Sequence, residues 1–193
     1  MDVKKVIKNI AEESLRVKKD FFSDEQNIDA VSNAAEALIE CYARGAKVIV
    51  FGNGGSAADS QHFAAELMVR FEKERKSLPV VALTTDSSIL TAAANDYCFE
   101  DIFSRQIDAL GNNSDVAVAI STSGNSKNVL KAVRTARRRG IKVIALTGSG
   151  GGELAKEADI CVFVNEKNTA RIQEVHILII HILSKLVEDS VSE

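Results

Sequence analysis

Five short apolar runs, none of them broken by alternating polar residues, constrain this chain more than any other feature. They fall at 47–51, 80–83, 116–120, 142–146 and 160–164. A strand with one face in water alternates apolar and polar side chains. Runs such as Val48-Ile49-Val50-Phe51 and Val116-Ala117-Val118-Ala119-Ile120 do not, so both faces must be covered. Helical patterns lie between the runs, near 57–74, 87–94, 100–110, 126–139 and 152–157. This rhythm predicts an α/β fold, doubly wound, with a five-stranded parallel sheet. Two helices precede it. Val3, Val6, Ile7, Ile10, Val17 and Phe21 recur at helical spacing, 27–44 repeats the pattern, and Gly45 ends the second helix. The last segment, 169–190, reads as one long helix carrying Ile172, Val175, Ile179, Ile182, Leu183 and Leu186. It is apolar around much of its circumference, more than a helix at the edge of a monomer needs. Together with the two amphipathic N-terminal helices, it is expected to form a helical bundle shared between subunits. Pro79 is the single proline, and no linker or repeat interrupts the chain. One domain over 1–193 is expected: N-terminal helices in 1–45, a parallel α/β core in 46–165, and the C-terminal helix in 169–190.

Composition narrows the function classes. With 193 residues, 46% of them apolar, the chain can build one well-packed core. Basic and acidic residues nearly balance, 24 against 27, for a formal net charge of −3. The longest basic run, Arg137-Arg138-Arg139, lies late in a helix where cations suit the dipole, so no basic face speaks for nucleic acid. The N-terminus lacks the apolar core of a signal peptide. The apolar stretch 177–186 is too short to span a bilayer and contains His181 and Lys185. Cys41, Cys98 and Cys161 are odd in number and lack zinc-type spacing. A reduced, cytoplasmic protein with neither nucleic-acid nor membrane partner is the expectation.

In an open α/β sheet, ligands bind beyond the carboxyl ends of the strands. Three expected strands end in small polar or glycine-rich loops that would open on one rim: Gly52-Asn53-Gly54-Gly55-Ser56, Ser121-Thr122-Ser123-Gly124-Asn125-Ser126, and Thr147-Gly148-Ser149-Gly150-Gly151-Gly152. Backbone N–H groups of such turns, with a helix N-terminus behind them, close around an anion. The bland alternative for 121–126 is an N-capping turn with Ser126 starting a helix, but a cap needs one hydroxyl and this loop has four. A dinucleotide site fits poorly. The loop at 52–56 lacks the third glycine of G-x-G-x-x-G, Ala57 standing in its place, and no Walker lysine follows. A monophosphate suits it better.

His62 and Glu66 follow on the next helix, four residues apart and so on one face. Such spacing is commonly a surface pair. Here Phe63, Ala64, Ala65, Leu67 and Met68 surround it, which argues for a half-buried pair beside the phosphate loop, suited to acid–base work or metal ligation. Gln173, His176 and His181 are the polar residues singled out on the C-terminal helix, each open to reading as a core group or as a ligand.

Together the loop at 52–56, the segment Gln61-His62-Phe63-Ala64-Ala65-Glu66, Asn95-Asp96, the loop at 121–126 and Arg171-Ile172-Gln173-Glu174-Val175-His176 with His181 resemble the bacterial phosphoheptose isomerases, within the sugar-isomerase (SIS) superfamily of flavodoxin-like fold. The resemblance spans nearly the whole chain. It implies conversion of sedoheptulose 7-phosphate to D-glycero-D-manno-heptose 7-phosphate through an enediol, for the lipopolysaccharide core. It implies substrate contacts at Asn53, Gly54, Gly55, Ser56, Glu66, Asn95, Asp96, Ser121, Thr122, Ser123, Ser126 and Gln173. It further implies an acid–base pair of Glu66 and His181, one Zn2+ per subunit at His62, Glu66, Gln173 and His181, and a homotetramer with shared active sites. Replication-initiator-associating proteins of the same superfamily look similar but lack the counterparts of Glu66 and His181, both present here. Sugar-phosphate-sensing regulatory domains would keep the serine loops and dispense with both groups.

Overall fold

The computed structural model describes residues 1–191; residues 192 and 193, at the end of the unit expected over 1–193, lie outside the described residues. Helices α1 (Val3–Phe22) and α2 (Glu25–Ala43) lead into β1 (Val48–Gly52), α3 (Gly55–Met68), β2 (Val80–Ala82) and α4 (Ser87–Asp96). A 3-10 turn (Phe99–Asp101) and α5 (Ser104–Leu110) precede β3 (Val116–Ser121), α6 (Lys127–Arg138), β4 (Lys142–Thr147), α7 (Gly152–Glu157), β5 (Ile160–Phe163) and α8 (Thr169–Val191).

The five strands pair in parallel in the order β2-β1-β3-β4-β5. Every residue of β1 and β3 is buried, which explains their lack of polar alternation. Alternate side chains still part to different layers. Val48, Val50, Val116, Val118 and Ile120 join a core with α1, α2, α3 and α8, whereas Ile49, Phe51, Ala117 and Ala119 join one with α5 and α6. The strand order reverses direction between β1 and β3. There the loops after the two strands diverge to opposite faces and leave a crevice, the site at which such sheets bind ligands.

Three expectations need correction. The helix expected over 57–74 stops at Met68, because the N–H groups of Phe71, Glu72 and Lys73 bond to the Glu188 carboxylate instead of continuing the helical ladder. The helix expected over 100–110 is broken into the 3-10 turn and α5. Asp101 holds that turn by accepting from Cys98 and Ser104 and pairing with Lys131. The apolar circumference of α8 is largely spent within this chain: Ile172, Val175, Ile179, Ile180, Leu183 and Val187 are buried against the sheet, α2 and α3. The unpartnered apolar stripe belongs to α1, where Val3, Val6, Ile7 and Ile10 are exposed.

Candidate active site

Two loops meet at the β1–β3 switch point. After β1 the chain turns through Gly54 at φ +57°, ψ −120°, a conformation that side chains rarely adopt, and enters α3 with no side-chain cap. The N-terminus of α3 thus opens onto the crevice without a competing side chain. After β3, Ser126 occupies the N-cap position of α6 but makes no side-chain capping bond. Its hydroxyl instead lies 3.1 Å from that of Ser121, which is 3.5 Å from that of Ser123. The plain capping alternative therefore fails on geometry: three hydroxyls of this loop face one another. Asn125 braces the loop by donating to the Ser123 carbonyl and accepting from the N–H of Glu153 at the start of α7. The two loops are tied by a reciprocal amide pair, Asn53 and Asn128, with distances of 2.9 and 2.8 Å.

The second half of the site is built by α3 and α8, which run parallel in near register. Gln173 packs on Gly55, where any side chain would overlap its amide. Two turns on, His181 Nε2 lies 3.3 Å from His62 Nε2, and beyond them Glu188 meets Phe71. His62 Nε2 is also 2.8 Å from Glu66 Oε1. Ligand atoms of His62, Glu66 and His181 all lie within 4.8 Å of one another. The ring of Phe71 flanks His181 at 5.6 Å between centroids. Asp59, one turn before His62, is pushed up to about 6 by burial, partly offset by the nearby imidazole. His176 belongs to the core: it is fully buried, its Nε2–H donates to the Thr147 carbonyl at 3.0 Å, and burial lowers its pKa to about 4. Carbonyls only accept, so the ring is the neutral Nε2–H tautomer.

Not every expected residue joins this cluster. Gln173 stands beside Gly55, and a helix rises about 12 Å over the eight residues from Gln173 to His181. Gln173 is thus placed at the Gly55 end of α8, and the converging His, Cys, Asp or Glu donors are His62, Glu66 and His181. Asn95 and Asp96 lie exposed at the end of α4, bonded to each other at 2.9 Å. None of the hydrogen bonds among the described residues joins them to either loop; Asp96 instead lines a cavity of about 480 Å³ with Ile89, Tyr97 and Arg105. Thr122 sits between Ser121 and Ser123 on the rim and is half-buried, and Ser56 is buried in the first turn of α3. Four structural partners escaped sequence reasoning: Phe71, Arg75, Asn128 and Glu188. A carboxylate at 188, one position beyond Val187 on an apolar helix, was the one available signal. Asn128 and Arg75 carry none, since both sit among ordinary polar surface patterns.

Among described residues, the glycine loop leads into α3, which carries His62 and Glu66: from Ser56 to His62 the helix rises about 9 Å. The serine loop is tied to the glycine loop through Asn53 and Asn128, and His181 reaches His62 from α8. This combines an anion cradle with a carboxylate and two imidazoles at a short remove. A model of the SIS domain family matches residues 12–148. A phosphoheptose isomerase from Thermodesulfovibrio yellowstonii is 46% identical over the whole chain and 95% of its own length. The solved phosphoheptose isomerase of Francisella tularensis superposes with a TM-score of 0.93 at 41% identity, covering 98% of this chain and 100% of that one. The enzyme of Neisseria gonorrhoeae gives 0.89 at 44% identity, over 96% and 98%.

Proposed function

We infer the reaction from one premise: the chain belongs to the SIS-domain family and, within it, to the phosphoheptose isomerases. It is an aldose–ketose isomerase that interconverts sedoheptulose 7-phosphate and D-glycero-D-manno-heptose 7-phosphate in heptose biosynthesis. The observation that carries the assignment of the site is the convergence of His62 and Glu66 of α3 with His181 of α8, on the helix that the glycine loop opens.

In our reading the substrate phosphate lies among Ser121, Thr122, Ser123 and Ser126 and the N-termini of α3 and α6, with Asn53, Gly54, Gly55 and Ser56 closing over the sugar. Hydroxyl and backbone donors suffice, because the phosphate takes no part in the chemistry and contributes position. Glu66 takes a proton from one of C1 and C2 and returns it to the other through the enediol. His181 moves protons on the oxygen side, where an imidazole can both accept and donate one. Glu66 engages His62 through one carboxylate oxygen, which leaves the second to serve carbon.

Two imidazole nitrogens and a carboxylate oxygen converging within 4.8 Å are a donor set that suits zinc. His62, Glu66 and His181 would hold it, with Gln173 as an expected fourth ligand. When bound there, zinc would polarise the sugar oxygens as a Lewis acid. Since Gln173 of the same chain stands two turns away, a second copy is the natural source of that group. The exposed stripe of Val3, Val6, Ile7 and Ile10 on α1 supports self-association, and we assign a homotetramer with shared active sites. Asn95 and Asp96 would likewise contact sugar only across such an interface. No helix among the described residues is long and apolar enough to cross a membrane. We assign the protein to the cytoplasm, working on precursors of the lipopolysaccharide core.

Incubating the protein with sedoheptulose 7-phosphate, with and without added zinc, and following the aldose phosphate tests the function directly. Turnover is expected; none in either condition from folded protein overturns it.

A further inference from the structure

The Glu188 side chain is fully buried near the end of α8, yet it lies outside the reacting centre. Its carboxylate accepts from three consecutive backbone N–H groups, Phe71 at 2.8 Å, Glu72 at 2.7 Å and Lys73 at 2.8 Å. Successive amides facing one anion form a nest. The same carboxylate lies 3.2 Å from Arg75 Nε, whose side chain is 2% exposed. Burial opposes the charge on Glu188, but the three amides and the guanidinium outweigh it and hold the carboxyl below its ordinary range.

Arg75 carries the connection onward. Its guanidinium donates to the carbonyls of Glu66 at 2.7 Å and Leu67 at 2.9 Å. These lie in the last turn of α3, where helix carbonyls lack intrahelical partners and a cation is favoured. Glu188 stands two turns beyond His181 on α8. The chain of bonds therefore begins on the helix of His181 and ends on the backbone of Glu66. The same nest holds Phe71, whose ring lies against His181.

We propose that Glu188 and Arg75 are positioning residues for the isomerase, a buried pair that locks α3 to α8 and so sets the placement of Glu66 relative to His181 and His62. This rests on the assignment of those three residues to the reacting centre. Neither Glu188 nor Arg75 touches substrate. Their role is to hold a carboxylate and an imidazole on two different helices within the narrow tolerance that proton transfer and metal ligation demand. The glycine loop at the other end of α3 and the serine loop before α6 are anchored independently through Asn53, Asn128 and Asn125, so the pair should govern the chemical step and leave phosphate binding alone.

The test compares wild type with Glu188→Gln, Arg75→Lys and Phe71→Leu by steady-state kinetics and by competitive zinc titration of the metal-free protein. Wild-type turnover and zinc binding check the underlying assignment first; if wild type shows neither, that assignment fails, whatever the variants do. Given both, Glu188→Gln and Arg75→Lys are expected to lower kcat and zinc affinity about tenfold or more, the scale seen when groups behind metal ligands are removed, with KM within about twofold. Phe71→Leu leaves the ion pair intact and serves if either polar variant does not fold; it is expected to lower kcat about threefold to tenfold at constant KM through the lost support of His181. Wild-type kcat and zinc affinity in folded Glu188→Gln and Arg75→Lys would overturn the proposal. So would wild-type values in Phe71→Leu where those two do not fold, or a loss in every variant that merely tracks the folded fraction.

Discussion

Asn53 and Asn128 exchange two side-chain hydrogen bonds across the β1–β3 crevice, joining the loop in front of α3 to the first turn of α6. Amide to amide, each group donates once and accepts once, so neither leaves a polar atom stranded by the pairing. The link couples the glycine turn to the serine loop, and so it sets the width of the cradle we assign to phosphate.

Asn128→Ala is expected to cost about 1–3 kcal/mol of stability, since Asn128 is buried and its removal leaves Asn53 unpaired. Its kinetic signature should be a KM raised about tenfold with a smaller change in kcat, because the proposed role of the loop is to position phosphate, with no part in the chemistry. Urea denaturation and steady-state assays check the two halves separately. An unchanged KM would dissociate the amide pair from substrate binding.

Glu66→Gln keeps the shape of the side chain and removes the carboxylate we propose as the base. Turnover should fall by roughly 10²–10⁴ with secondary structure intact by circular dichroism. His181→Asn should do the same. Near-wild-type turnover in either variant would take that residue out of the mechanism.

Metal removal should be visible without any assay of activity. Zinc added to chelator-treated protein should raise the melting temperature, as any ligand of the native state does. His62→Ala, lacking one of the three converging donors, should respond far less. Full turnover in chelator, together with no metal in protein purified without it, argues against a catalytic ion.

His176 should make stability depend on pH. Its imidazole has an ordinary value of 6.5 and is held at about 4 in the fold by burial. Between those values the unfolded chain binds a proton that the native chain does not, so stability falls as pH drops through the window. The full loss is roughly 3 kcal/mol by pH 4, taking about 1.4 kcal/mol per unit. Asp59, pushed up to about 6, acts with the opposite sign over an overlapping range. The difference between wild type and His176→Gln therefore isolates the histidine. Denaturation midpoints from pH 4 to 8 should converge at the acid end, and a parallel pair of curves would exclude it.

Subunit mixing addresses the sharing of sites. Inactive Gln173→Ala and His181→Ala proteins, exchanged under mild denaturant, should recover part of the wild-type activity if each site draws these residues from different copies. No recovery despite proven exchange would leave each site within one chain.

Much of this protein was decided locally and could be read from its residues. Uninterrupted apolar runs such as 116–120 are sufficient for strands covered on both faces, because a single polar side chain there would be stranded. Strand–helix alternation leaves few topologies besides a parallel doubly wound sheet. His62 and Glu66 share a face by helical geometry alone. What lay beyond the sequence depends on contacts between distant segments. The end of α3 at Met68 is set by Glu188, more than a hundred residues away, whose carboxylate takes the amides that would have continued the helix. Whether Ser126 caps α6 or turns to Ser121 depends on how the loop is braced against α7. His176 and His181 look equivalent on one apolar helix, yet the rotation of α8 against the sheet buries the first on the Thr147 carbonyl and brings the second to His62. That rotation is a property of the packed layers, and no local pattern encodes it.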